Sequence, residues 1–117
     1  MSDKAIIYHN PRCSKSRAAM QLLTDKGIDA TVVKYLETPP DRETLEKLLD
    51  MLGIQPRDLM RKGEKEYKEN NLSDDNLSRD ELIDAMLKYP RLIERPIVIK
   101  DGKAAIGRPI ENIINIL

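Results

Sequence analysis

The only cysteine of the chain, Cys13, lies where a predicted strand gives way to a predicted helix. Ala5–Tyr8 is apolar and strand-like, the next four residues indicate a sharp turn, and a helical pattern begins at Ser14. A thiol in the first turn of a helix faces unpaired backbone N–H groups and the positive end of the helix dipole, and both favour the thiolate. The sequence therefore predicts a cysteine nucleophile and an anion site at this helix start. Nearby basic side chains add positive charge: Arg12, Lys15 and Arg17.

Three polar residues near Cys13 suit nucleophilic chemistry. His9, the only histidine, either tunes the pKa of the thiol or is a strand-end histidine that the backbone satisfies. Asn10 and Ser16 either donate hydrogen bonds to a bound oxyanion or complete the turn and the first helical turn. One cysteine and one histidine are too few ligands for a zinc site, so no metal is expected.

Ser16 also occupies the place of the second cysteine in a C-x-x-C redox motif. A serine cannot form the intramolecular disulfide that such a motif uses. Any covalent adduct on Cys13 must therefore be released by an outside thiol.

Arginines in later segments are candidates for binding the anion. Arg95 precedes Pro96 and a strand-like run, and Arg108 lies between a glycine and a proline after the next strand. Guanidinium groups are permanent planar cations that offer paired donors to an oxyanion. Arg61 is a third candidate, although spacing alone does not separate it from neighbouring cations at Arg57 and Lys62.

The elements that must position these residues begin with a βαβ unit. After the first strand, helical spacing predicts a helix over Ser14–Lys26, and Gly27 is its expected stop. The β-branched run Ala30–Leu36 predicts a second strand. Strands joined by a helix over so short a distance are expected to be parallel.

The rest of the chain is helical in pieces and then forms a hairpin. Asp41 is expected to cap a helix, and Ser78–Glu81 matches a capping box that starts another. Asp101–Gly102 predicts a two-residue hairpin turn between the last two strands. Pro109 is placed at the first position of a closing helix that runs to Leu117.

This order predicts an α/β fold with a mixed four-stranded sheet, helices on both faces, and an all-helical insertion over about residues 41–90. It is the order of thioredoxin-like domains, and residues 1–117 are expected to form a single domain. The position of Pro96 matches the cis-proline that faces the cysteine in such domains, so we expect a cis bond there and Arg95 directed toward Cys13.

Composition excludes several classes of function. The chain has 117 residues with 20 basic and 20 acidic side chains, and zero net charge argues against a general nucleic-acid or membrane-surface role. Without Phe or Trp, stacking platforms for single-stranded nucleic acid are not expected. No apolar run has the length of a membrane span, and Met1–Lys4 leads into the first strand without a signal-peptide core. We expect a soluble, cytoplasmic monomer.

The segment Tyr8–Arg17 resembles the active-site segment of the glutaredoxin-coupled arsenate reductases. Later blocks resemble that family in the same order, at Tyr35–Pro40, Leu59–Lys62, Glu94–Val98 and Gly107–Pro109. The chain is most similar to the short, arsenate-reductase-like branch, because Ser14–Lys15 replaces the Gly-Thr typical of plasmid-type enzymes and the chain stops at Leu117.

The resemblance implies a thioredoxin-like enzyme that reduces arsenate to arsenite without a bound cofactor, with glutathione and glutaredoxin as electron donors. In the family the motif cysteine attacks arsenate and three arginines hold the oxyanion. The motif histidine and serine match His9 and Ser16, and Asn10 is a further candidate ligand. The nucleophile and the three arginines match Cys13, Arg61, Arg95 and Arg108.

Two other functions remain open at this point. One branch of the superfamily resembles this fold but binds RNA polymerase and senses oxidation through C-x-x-C, and Ser16 counts against that function. The other is a glutathione-dependent thiol oxidoreductase acting on protein mixed disulfides. Its difficulty is the three arginines, which a mixed disulfide does not require.

Overall fold

The computed structural model describes residues 3–117. Met1 and Ser2, which the sequence analysis places ahead of the first strand, lie outside the described residues. In chain order the strands and α-helices are β1 (Lys4–Tyr8), α1 (Ser14–Asp25), β2 (Asp29–Val33), α2 (Arg42–Leu52), α3 (Lys65–Glu69), α4 (Arg79–Lys88), β3 (Ile97–Lys100), β4 (Lys103–Ile106) and α5 (Glu111–Ile114). Two short 3₁₀ turns lie at Pro56–Leu59 and Pro90–Leu92.

These elements form two compact units. The sheet unit contains the residues up to Thr38 together with Arg95–Leu117, and the helical unit contains Pro39–Glu94. The single-domain assignment over residues 1–117 stays a prediction. The helical unit occupies the part of the sequence where an all-helical insertion is expected.

The sheet has the strand order β2-β1-β3-β4. β1 pairs in parallel with β2, whereas β3 is antiparallel to both of its neighbours. At the centre of the register, Ile7 lies beside Val32 on one side and Val98 on the other. The predicted mixed four-stranded sheet is confirmed.

The core of the sheet unit lies on the face of the sheet that α1 and α5 cover. Ala5 and Ile7 of β1 pack there with Ala19 and Leu23 of α1 and with Ile113 of α5. All five are buried, and Ile7, Ala19 and Ile113 have no exposed surface. This packing holds the start of α1 beside the end of β1, where the cysteine lies.

The strand predicted over Ala30–Leu36 is shorter than expected and starts one residue earlier. β2 ends at Val33, whose carbonyl accepts the last ladder hydrogen bond from His9 N–H, at 2.9 Å. Beyond that point β1 has turned away and offers no partner, and the Lys34 carbonyl instead accepts two hydrogen bonds of a turn.

Two predicted helix starts in the helical unit are confirmed. The Asp41 carboxylate accepts a hydrogen bond from Thr44 N–H at 2.8 Å and caps α2, and Gly53, whose φ is 67°, follows the last residue of α2. Ser78 and Glu81 form the expected capping box at the start of α4. These signals are local, so the sequence specifies them without knowledge of the packing.

The hairpin is confirmed, but the closing helix is not the one expected. Asp101 and Gly102 both have positive φ, at 51° and 78°, as a type I′ turn requires. α5 is a single turn over Glu111–Ile114 and does not begin at Pro109 or continue to Leu117 as α-helix. This segment is rich in asparagine and in the β-branched residue isoleucine, and both are weak helix formers. The last residues of the chain, after α5, make i to i+3 hydrogen bonds.

Candidate active site

The turn between β1 and α1 is closed by hydrogen bonds of its own residues. Cys13 N–H donates to the Asn10 carbonyl at 3.0 Å, and the Asn10 side-chain oxygen accepts from Arg12 N–H at 3.0 Å. Cys13 itself is extended, with φ −93° and ψ 124°, and its carbonyl accepts the first helical bond from Arg17 N–H. Cys13 is therefore the N-cap residue of α1, as the sequence pattern predicts.

Two side chains of α1 stabilise this turn through hydrogen bonds to its backbone. The Ser16 hydroxyl oxygen accepts a hydrogen bond from Asn10 N–H at 3.1 Å, and Ser16 has no exposed surface. The Arg17 guanidinium donates to the Pro11 carbonyl at 3.0 Å. Asn10 and Ser16 thus complete the turn, one of the two roles that the sequence left open. Binding of an oxyanion by either residue stays a prediction.

The Cys13 sulfur is partly exposed and lies against a guanidinium. Nη2 of Arg108 is 3.4 Å from Sγ. Burial raises the pKa of the Cys13 thiol, but hydrogen bonds from the backbone N–H groups of Ser16 and Lys15 lower it. The positive charges of Arg108 and Arg95 lower it further, and the net result is a pKa below that of a free thiol.

Arg95 and Arg108 reach this site because β3 and β4 pair beside β1. Ile97, at the start of β3, lies opposite Tyr8 on one side and Ile106 on the other. The residues that precede β3 and those that follow β4 therefore meet at the end of the sheet where β1 ends. There, Arg108 Nε donates to the Arg95 carbonyl at 2.8 Å, so one arginine fixes the backbone of the other.

Both arginines precede prolines, and both peptide bonds are cis. The Arg95–Pro96 bond was expected to be cis, whereas the Arg108–Pro109 bond was not singled out. Gly107 N–H donates to the Pro96 carbonyl at 2.8 Å, which ties the two segments together.

Gly107 is a site residue that the sequence analysis missed. A Cβ added there would lie 2.6 Å from Cδ1 of Ile113 and 2.8 Å from Cγ of Pro96, closer than a carbon atom can approach. Any larger residue would therefore have to displace Ile113 or Pro96. Its position just before an Arg-Pro pair was the available signal, but the tight contact depends on the packing of α5.

His9 is buried at the end of β1, with 8% of its surface exposed. Burial lowers the pKa of His9, and the positive charges of Lys34 and Arg17 lower it further. The imidazole is therefore neutral near pH 7 and adds no positive charge beside the thiolate. Its Nδ1 has no hydrogen-bond partner within residues 3–117. The backbone N–H of His9 extends the strand ladder, and both roles that the sequence leaves open for its side chain stay predictions.

Known proteins are similar to this chain in sequence and in fold. A model of the ArsC family matches residues 8–116. The chain belongs to the ArsC family. The fold and family predicted from the sequence are confirmed, and the protein is an oxidoreductase of this family's type.

Three relatives show the extent of the similarity. The arsenate reductase of Neisseria meningitidis serogroup A is 53% identical over 112 residues, covering 95% of this chain and 96% of the relative. An arsenate reductase of Escherichia coli is 45% identical over 111 residues, covering 95% of this chain and 79% of the relative. A solved structure of an arsenate reductase from Vibrio cholerae has a TM-score of 0.96 and 49% identity, and the match covers 100% of both chains.

Arg61, the third arginine predicted to bind the oxyanion in this ArsC protein, belongs to the helical unit. Its Nε lies 3.7 Å from a carboxylate oxygen of Glu64, and its backbone N–H donates to the Leu92 carbonyl at 2.7 Å. Its neighbour Arg57 has a different role, since it donates to the carbonyls of Leu72 and Asp74 at 3.3 and 2.8 Å. An oxyanion-binding role for Arg61 stays a prediction.

The described residues contain neither a cluster of metal ligands nor a helix that could span a membrane. Within residues 3–117 no group of three or more histidine, cysteine, aspartate or glutamate side chains is arranged to hold a metal ion. The helices of the same residues are all too short or too polar to cross a membrane.

Proposed function

We propose that this protein is an arsenate reductase in which Cys13 is the nucleophile and glutathione and glutaredoxin supply the electrons. The observation that carries the proposal is the contact of 3.4 Å between Arg108 Nη2 and the partly exposed Cys13 sulfur. The activity of the related arsenate reductases supports the choice of substrate.

The local charges suit an oxyanion better than a neutral substrate. Arsenate is an anion at neutral pH, and a thiolate alone would repel it. The charges of Arg95 and Arg108 exceed the single charge of the thiolate, so the site retains positive charge after the thiol ionises. Asn10, in the same turn as Cys13, joins this set as a further candidate ligand. Arg61 joins this set on the sequence resemblance alone.

The first step exchanges one oxygen of arsenate for sulfur. The Cys13 thiolate forms a bond to arsenic, and one oxygen leaves as water with protons taken from arsenate and solvent. Arsenic remains five-valent in this step. The remaining oxygens need fixed donors, and guanidinium groups with a preset position supply them without reorganisation.

The second step transfers the electrons. A glutathione thiolate attacks the adduct, and arsenic takes the electron pair of its bond to sulfur and leaves as three-valent arsenite. The two sulfur atoms are oxidised together to a mixed disulfide between Cys13 and glutathione. Glutaredoxin then reduces that disulfide, because Ser16 cannot resolve it. A cytoplasmic location and a monomeric state, as predicted, complete the proposal.

The test is arsenate-dependent oxidation of NADPH in the presence of glutathione, glutaredoxin and glutathione reductase. Cys13→Ser is expected to reduce the rate to the background without enzyme, because a serine hydroxyl is not ionised near neutral pH. Circular dichroism of the variant checks that the fold is retained.

Arginine variants test the anion site in the same assay. Arg108→Ala and Arg95→Ala are expected to lower kcat/KM for arsenate strongly, whereas exposed Arg79→Ala should leave it unchanged. Arg57 is unsuitable as the control because its hydrogen bonds hold the helical unit together. A full rate in Cys13→Ser, or no arsenate-dependent rate in the wild type, would overturn the proposal.

A further inference from the structure

Two cations flank Cys13 and have no partner among residues 3–117. Arg12 and Lys15 are exposed, and neither side chain makes a hydrogen bond or an ion pair with any residue in the range 3–117. The whole chain has zero net charge, yet the stretch from Lys4 to Thr24 contains no acidic residue. The surface around the cysteine is therefore positively charged, and nothing in this stretch neutralises it. We call Arg12 and Lys15 the rim cations.

The rim cations differ from the other basic residues of the site in their contacts and in their exposure to solvent. Arg108 and Arg95 are the cations that act on the sulfur. Arg17 is tied to the Pro11 carbonyl and braces the turn. The charges of Arg12 and Lys15 lie further out, on the exposed side of the turn and of the first helical turn. They are available to a group that approaches the sulfur from solvent.

A second reactant must approach from that side. Ser16 leaves the protein without a resolving thiol, so an incoming thiolate has to reach Cys13 from outside. Such a thiolate is itself anionic, and carboxylates on the same molecule would lie a few ångströms from its sulfur. Two cations three residues apart, on either side of the cysteine, match a small molecule better than a broad protein face.

We propose that Arg12 and Lys15 recognise the carboxylates of a small acidic thiol and thereby select which thiol attacks an adduct on Cys13. The inference rests on the proposed function for the identity of the adduct, but the selection is a property of the surface around Cys13 and acts on any mixed disulfide there. Arg12 and Lys15 are specificity residues for the second reactant and leave the sulfur itself unchanged.

The test uses Cys13 converted to a mixed disulfide with thiopyridine. An incoming thiolate attacks the Cys13 sulfur, a new disulfide forms, and the thiopyridine anion leaves with the electron pair, so its absorbance reports the rate. Glutathione and mercaptopropionate carry carboxylates, mercaptoethanol is neutral, and cysteamine is cationic. Rates of Arg12→Gln, Lys15→Gln and the double variant are divided by the wild-type rate for each thiol, which cancels the thiol's own reactivity.

We expect the two carboxylate thiols to react about two- to fivefold more slowly for each rim cation removed, as unscreened charges a few ångströms apart imply. Mercaptoethanol attacks as a thiolate without a carboxylate and should slow less, and cysteamine, whose thiolate is zwitterionic, should slow least. High salt should abolish the difference between the variants and the wild type. The pKa of Cys13, from alkylation of the free thiol against pH, should not change.

Lys103→Gln is the matched control. Lys103 is an exposed cation of the same unit, next to the hairpin turn at the opposite end of the sheet from Cys13. Its removal should alter no ratio. Equal slowing with all four thiols, or no slowing in the double variant, would overturn the proposal. A glutaredoxin with an acidic surface serves as a fifth thiol. If the variants slow only the reaction with this protein, the proposal is also overturned, because that result would assign the rim cations to a protein partner.

The exchange reaction contains no arsenate. A protein that selects acidic thiols but does not reduce arsenate would contradict the proposed function alone. A protein that reduces arsenate with no charge selection would contradict this inference alone.

Discussion

Arg108 is one of the groups that favour the Cys13 thiolate, and two hydrogen bonds hold its guanidinium in place. Arg108 donates through Nε to the Arg95 carbonyl and presents Nη2 to the sulfur at 3.4 Å. Because the Arg95 carbonyl already holds this guanidinium, Arg108 loses little conformational freedom when an anion binds. This geometry makes Arg108 a stabiliser of the thiolate and, under the proposed function, a donor to the bound oxyanion.

Replacing Arg108 should raise the pKa of Cys13. In Arg108→Gln the thiolate keeps its two backbone N–H donors but loses the closest positive charge, so its pKa should shift toward that of a free thiol. The midpoint of the alkylation rate against pH measures this shift. Arg79→Gln, at an exposed position of the helical unit, is the control. An unchanged midpoint in Arg108→Gln would assign the low pKa to the helix start alone.

At this scale the sequence was informative where the signal was local. The position of Cys13 ahead of a helix follows from the turn and the periodicity on either side of it. The basic residues near it in sequence were misleading, since the cations that act on its sulfur come from about eighty or more positions away. Long-range contacts of this kind follow from strand pairing, which local patterns do not specify.

Among the elements, the segment between β4 and α5 bears most directly on the site. Gly107 lies between Pro96 and Ile113 with no room for a side chain, and it is adjacent to Arg108. The hydrogen bond from Gly107 to Pro96 joins the two arginine-proline segments. A side chain at Gly107 must therefore displace either the core residue Ile113 or Pro96, which follows Arg95.

Gly107→Ala should destabilise the protein by about 1–3 kcal/mol, the usual cost of forcing extra volume into a packed core. It should also raise the pKa of Cys13, because displacing Pro96 or Arg108 weakens the contact with the sulfur. Urea denaturation and alkylation against pH measure the two effects. Gly63→Ala is the control, since an added Cβ there has no neighbour within 4 Å. Equal stability of both variants would contradict the tight packing.

The elements also show why sequence patterns gave some boundaries and missed others. The Ser78 capping box and the Asp101–Gly102 turn are encoded in consecutive residues, and both were predicted. The end of β2 at Val33 depends on where its neighbour turns away. The shortness of α5 reflects weak helix formers whose position is fixed by packing of Ile113 against the sheet.

At the scale of the whole molecule, His9 and Cys13 link stability to pH in the range near neutrality. The pKa values of His9 and Cys13 are both lowered in the folded state, the first mainly by burial and the second by N–H donors and arginines that outweigh burial. Between its folded and unfolded pKa, each group holds a proton only in the unfolded chain. Stability therefore rises with pH through both ranges.

The free energy of unfolding should increase with pH up to about 6.5 through His9 and, separately, up to about 8.5 through Cys13, where the unfolded groups titrate. Urea denaturation across this range measures the curve. Cys13→Ser should remove the alkaline rise and His9→Gln the acidic rise, each without affecting the other. A wild-type curve with the same slopes as both variants would contradict the lowered pKa values.

The buried hydroxyl at position 16 has a consequence for the working of the protein as a whole. Its oxygen accepts a hydrogen bond from a backbone N–H and is sealed from solvent, and Cys13 is the only cysteine of the chain. Under the proposed function, every catalytic cycle therefore ends with a reaction with an external thiol. The turnover rate of that reaction depends on the concentration of reducing thiols around the protein.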